Sequence, residues 1–270
     1  ETRFASVSLR AFFLERPIRS SYRWRLDVPP IGSQAPMTDT PTRRCILLLG
    51  APRTGTTLLS AAVGSHPAVA MLDEEFGTAV HRITGAKIPG NKLCVPNQIH
   101  MKSRYGGLKR SMFLNGPRRK RNGGRIPRAR MTIEDYLSEF DCHVGCIVRD
   151  PVRSVEAIMR RERHPRTRAM DIMTRCFDTF HAVRARAGNR AAVLSFDHFL
   201  HQPEAQARAI CHWLELPFST DMLDAPTNNA RYNQSGLDTS KASLRTDAAS
   251  VPSDMAPLMR TYDGLMGWAL

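Results

Sequence analysis

Arg44-Cys-Ile-Leu-Leu-Leu-Gly-Ala-Pro-Arg-Thr-Gly-Thr-Thr-Leu-Leu59 sets a short apolar run directly against a glycine-bearing turn. A continuous run of apolar residues is what a strand buried on both faces requires. The turn Gly50-x4-Gly55-Thr56-Thr57 then leads into Thr56–Ser65, which reads as a helix ended by Gly64 and Pro67. A strand, a glycine turn and a helix in that order bring backbone N–H groups and a helix N-terminus to one point. That is the arrangement that cradles a phosphate-like anion. The triphosphate form of such a loop carries Lys just before its last Ser or Thr. Thr56 stands there instead, and the cation sits earlier, at Arg53. A nucleoside-triphosphate kinase or nucleotidase is therefore the lesser reading.

Outward from this loop the strand–helix rhythm repeats. Ala68–Leu72 reads as a strand. Thr132 caps a helix. His143–Val148 is a second buried strand, followed by a helix over about 152–163. A long amphipathic helix over 169–187 closes at Gly188; a strand over 191–195 and a helix over 203–216 follow. The alternation predicts an α/β fold, a P-loop-type parallel β-sheet flanked by helices. Beyond about Asp224 the chain is polar and loop-like until Met255.

Charge is local rather than general. The 270-residue chain has 39 Lys and Arg against 25 Asp and Glu, a net +14. Residues 101–131 hold eleven basic residues and no acidic one, and residues 1–36 hold a further +3, so the rest is neutral. A protein that coats nucleic acid would spread its charge differently, so no nucleic-acid partner is expected. Residues 1–36 read as a basic, disordered extension ahead of Met37, residues 37–270 as one domain, and 101–131 as a basic loop or lid. A non-enzymatic polyanion-binding role through 101–131 is the third reading. The six cysteines are scattered and complete no zinc set, so no metal is expected. No run approaches the roughly 20 apolar residues of a membrane span, and no signal-peptide core opens the chain. The expectation is a cytoplasmic protein with reduced thiols and no membrane insertion.

The loop Gly50-Ala-Pro-Arg-Thr-Gly-Thr-Thr-Leu-Leu59, with Gly64-Ser-His-Pro67 after its helix, resembles the sulfotransferases that use 3′-phosphoadenosine-5′-phosphosulfate (PAPS). Their 5′-phosphosulfate loop reads G-x-P-[RK]-[ST]-G-T-[TS]-L-L. The resemblance implies that Pro52, Arg53, Thr54, Gly55, Thr56 and Thr57 hold the phosphosulfate. A second motif, Ile147-Val-Arg-Asp-Pro-Val-Arg-Ser154, is similar to the family's 3′-phosphate loop. It implies a phosphate-binding role for Arg149, whose planar guanidinium suits a dianion. The family's usual Ser eight residues on is here Ala157; Ser154 lies one turn earlier and Arg161, a further candidate, one turn later. In the tyrosylprotein branch the catalytic carboxylate falls on Glu74 of Leu72-Asp-Glu-Glu-Phe76, and an Asn-Lys-x-Pro element aligns Lys92 as transition-state support. Leu194-Ser-Phe-Asp-His-Phe-Leu200 and Cys211-His-Trp-Leu-Glu-Leu-Pro217 also resemble family segments, with Phe196 in place of the usual Tyr. The resemblance implies transfer of a sulfuryl group from PAPS to a hydroxyl or amine of a small-molecule, glycan or peptide acceptor.

Overall fold

The computed structural model describes residues 43–102, 118–119, 125–126, 130–225, 237 and 246–270. The expected extension over 1–36 and most of the basic run over 101–131 lie outside the described residues.

Five parallel strands form the sheet, in the order β2-β3-β1-β6-β7. They are β1 (Arg44–Gly50), β2 (Val69–Asp73), β3 (Ile88–Cys94), β6 (Asp141–Val148) and β7 (Ala191–Ser195). A two-residue antiparallel pair, β4 (Arg118–Arg119) and β5 (Arg125–Ile126), lies within the basic run. The helices are α1 (Thr56–Ser65), α2 (Ile133–Glu139), α3 (Pro151–Glu162), α4 (Arg166–Ala187), α5 (Phe196–His201), α6 (Pro203–Trp213) and α7 (Ala256–Met266). This is the α/β architecture expected from the alternation. Beyond the sequence reading, β3, α5, α7 and the short β4–β5 pair are new. β3 is hidden in sequence because Pro89, Gly90, Asn91 and Lys92 interrupt its apolar character. The short helix α5 sits between β7 and α6.

Successive side chains of a strand point to opposite faces, and β1 shows it. Cys45, Leu47 and Leu49 enter a core with α2, α3, α4 and α7, while Ile46 and Leu48 enter a second core with α1, α5 and α6. Burial on both faces explains the apolar runs Cys45–Leu49 in β1 and Val144–Val148 in β6. The helix starts follow local chemistry. Thr132 and Asp135 form a reciprocal capping box on α2. Asp150 caps α3, with Pro151 in its first turn, where the missing N–H costs nothing.

Because the strands are parallel, their carboxyl ends share one edge. Register places Gly50 opposite Ile147 on one side and Cys94 on the other. The loops after all five strands open there, where open α/β sheets bind their ligands. Gly55 adopts a left-handed φ of 89° at the start of α1, and a Cβ on it would lie 2.0 Å from the Phe196 ring. Gly85 has a similar φ of 92° but open space around it. Gly55→Ala is therefore expected to cost about 2 kcal/mol more than Gly85→Ala, the excess being the overpacking against Phe196. Urea unfolding midpoints of the two variants check this.

Candidate active site

Three of the edge loops carry polar chemistry. In the loop after β1, Gly50 lies so close to its surroundings that a Cβ would meet Thr56 Cγ2 at 2.3 Å and Thr54 Oγ1 at 2.9 Å. Arg53 is exposed and takes a left-handed φ of 72°, uncommon for a side chain with a Cβ. Thr54 is buried, and its hydroxyl donates to the Ala51 carbonyl at 2.8 Å, as does its amide at 3.3 Å. Thr54 thus shapes the loop, and its two donors are already engaged within it. The amides of Leu58 and Leu59 both return to the Gly55 carbonyl. Those of Thr56 and Thr57 have no backbone acceptor among the described residues and form the open first turn of α1. Pro52 is half-buried at the turn.

The loop after β6 carries Arg149. Its Cζ lies 4.9 Å from the centroid of Phe196, a cation–π contact. The same ring fills the space beside Gly55. One aromatic side chain therefore touches both the anion-type loop and the Arg149 loop. Burial pulls the Arg149 guanidinium below its ordinary value, with Asp197 opposing. Arg149 nonetheless stays a cation at neutral pH. Asp197 also accepts the Asp150 amide at 2.9 Å. Asp150 in turn receives the Arg153 amide at 3.1 Å, the Thr246 amide at 2.9 Å and the Thr246 hydroxyl at 3.0 Å. The loop is thus fastened from α5, from α3 and from a segment near residue 246.

The turn after β2 carries the carboxylates. Lys92, only 1% exposed, places its ammonium 2.7 Å from Asp73 Oδ1 and 2.9 Å from Glu74 Oε1. Burial lowers the Lys92 pKa, but the bonds to Asp73 and Glu74 outweigh it and hold the group above its ordinary value. Glu74 itself has φ 56° and donates its amide to the Lys92 carbonyl at 3.0 Å. Asn91, wholly buried, holds the next residue from both sides. It accepts the Glu75 amide at 3.2 Å and donates to the Glu75 carbonyl at 2.9 Å, then to the Tyr136 hydroxyl at 3.0 Å. Glu75 turns its carboxylate back onto the Gly77 amide at 2.6 Å. So Glu74, not Glu75, is the one paired with Lys92.

Residues 141–220, from β6 to just beyond α6, match the family model described as the sulfotransferase family. Over that stretch the chain is similar to the sulfotransferase family. The sulfotransferase domain of the olefin synthase of Synechococcus PCC 7002 superposes with a TM-score of 0.53 at 14% identity, covering 88% of this chain and 99% of that one. The sulfotransferase domain of the curacin biosynthetic pathway gives 0.54 at 12% identity, covering 83% and 97%. Both likenesses are of fold. A comparison with curated protein sequences gives no match.

The structure gathers Arg53, the Gly50–Thr57 loop, Arg149 and the Glu74–Lys92 pair along one sheet edge. Arg161 is different. It is exposed near the end of α3, ten residues beyond Pro151 and so about 15 Å further along the helix axis. Ala157 is buried, as is Ser154, whose hydroxyl faces the Arg149 carbonyl at 3.5 Å. Asn91, Asp150, Asp197 and Thr246 are supporting residues to which the sequence reading gives no role. Among the described residues no three His, Cys, Asp or Glu side chains gather as a metal site requires, and no helix is long and apolar enough to cross a membrane.

Two predictions follow from the carboxylate turn. Asn91→Ala removes three hydrogen bonds from a buried position and is expected to destabilise the protein by about 3 kcal/mol in urea unfolding. The second concerns pH. The folded Lys92 pKa lies above its ordinary 10.5. Its stabilisation is complete below pH 10.5 and is lost as pH rises through the folded value. Unfolding free energy measured from pH 9 to 12 should fall more steeply for the native protein than for Lys92→Met.

Proposed function

We propose that this protein is a sulfotransferase that moves the sulfuryl group of PAPS to a hydroxyl or amine acceptor by direct in-line displacement. The observation that carries the reading is the pairing of two anion-type loops on neighbouring strands through Phe196, with a carboxylate–ammonium pair joining the end of β2 to β3 on the other side of β1. The open first turn of α1 and Arg53 suit the 5′-phosphosulfate. Arg149 suits the 3′-phosphate through bidentate bonds.

In the reaction the acceptor oxygen or nitrogen forms a bond to sulfur as the bond from sulfur to the 5′-phosphate oxygen breaks. The departing electron pair stays on that phosphate oxygen, and the acceptor proton passes to Glu74. The Lys92 ammonium lies between Asp73 and Glu74. When Glu74 takes the proton, Asp73 still holds the ammonium, which remains a fixed positive charge beside the reacting groups. Arg53 and the loop amides stabilise charge on the bridging and sulfuryl oxygens, so catalysis is positioning plus electrostatics. All six cysteines are buried free thiols, which supports a reducing, cytoplasmic setting for the same reading.

Calorimetry with 3′,5′-bisphosphoadenosine and with ATP–Mg separates this reading from a kinase. The bisphosphate should bind and ATP–Mg should not displace it, while Arg149→Ala should weaken bisphosphate binding by at least tenfold. Glu74→Gln should lower transfer from labelled PAPS by about 10²–10⁴-fold with bisphosphate affinity unchanged. Near-normal transfer by both Arg53→Ala and Glu74→Ala would sink the assignment.

A further inference from the structure

A cavity of about 430 Å³ opens one residue past Glu74. Its walls include Glu75, Phe76, Thr78, Arg82 and Arg130, and its size is that of a small-molecule site. The two arginines arrive from separate parts of the chain. Arg82 ends the short 3-10 helix Ala79–Arg82. Arg130 is fixed by its amide, which donates to the Phe76 carbonyl at 2.8 Å. Both side chains are exposed, and neither makes an ion pair among the described residues. Among the described residues of the lining Glu75 is the only acidic one, and its Oε1 is taken by the Gly77 amide. Two guanidiniums against one committed carboxylate give these described residues a net charge of +1.

We infer that this cavity is the acceptor site and that it takes a hydroxylated carboxylic acid. The argument rests on the proposed role of Glu74 as the group facing the reacting hydroxyl. A single net positive charge, supplied by two planar donors, matches a monoanionic carboxylate held by a guanidinium fork. A polyanion would need more cations than the described residues of the wall carry. The half-buried Phe76 gives the carbon frame of such a ligand an apolar face, since its ring also packs against the core below. The Thr78 hydroxyl, which makes no cap bond to its own helix, adds a polar donor. With the carboxylate at Arg82 and Arg130, the other end of the acceptor is directed back along the turn to Glu74. The arginines therefore select and orient; they take no part in proton transfer.

The test uses the full chain and three acids, 4-hydroxybenzoate, quinate and glucuronate, each beside its neutral primary amide, titrated calorimetrically with and without 3′,5′-bisphosphoadenosine. At least one acid should bind tenfold or more tightly than its amide. The Arg82→Gln/Arg130→Gln double variant should erase that preference, while bisphosphate affinity and the thermal unfolding midpoint stay unchanged. Either single variant serves in place of a double variant that fails to fold. The inference is overturned if no acid outbinds its amide, or if the preference survives in the variant. Failure of the bisphosphate to bind the native protein would overturn the donor reading alone, because the acid preference is measured in its absence as well.

Discussion

A buried ammonium has to be answered by negative charge, and the site is organised around that demand. Lys92 is 1% exposed within β3. Leaving such a cation unpaired would cost several kcal/mol. Two carboxylates answer it, one at the last residue of β2 and one in the turn beyond. Meeting the ammonium requires the chain to bend at Glu74, and the positive φ there is the mark of that bend. The strain is held by neighbours: the Lys92 carbonyl takes the Glu74 amide, and Asn91 grips Glu75 on both its polar groups. The carboxylate's position is therefore a consequence of the strand beside it.

How much of this was legible in sequence depends on how local each cause is. The loop Gly50–Thr57 is written in consecutive residues, because glycine spacing and the flanking apolar run each have a local physical reason. The strand carrying Arg149 reads clearly for the same reason, as does the Thr132 cap. β3 does not, since its Pro89-Gly90-Asn91-Lys92 stretch belongs to a strand only by virtue of pairing with β1 and β2. Asn91 looks like an ordinary loop residue until Tyr136, 45 positions later, is seen to share its amide. Arg161, one turn after Ala157, lies near the far end of α3 from Pro151.

Phe196 shows how a substitution of type can alter a role without loss. A hydroxyl at this place is absent, yet the ring lies beneath Arg149 and against Gly55 at once. Its face stabilises a cation while its edge sets how closely the first loop can approach. The aromatic thus acts as a spacer between two anion-type loops whose own residues are far apart in sequence. That explains why the glycine at position 55 has no room for any side chain.

The fastening of Asp150 bears on how the protein is made. Its carboxylate receives donors from Thr246, nearly a hundred residues downstream. Growing from its N-terminus, the chain completes β1, α1 and the Glu74 turn long before residue 246 exists. The Arg149 loop can only be completed at the end of synthesis. The first half of the site is then built early from near neighbours, and the second half waits on a contact of high sequence separation, the kind that folds slowly. A nascent chain cut short before its last segment would possess the first loop in full but hold Asp150 with one of its partners missing.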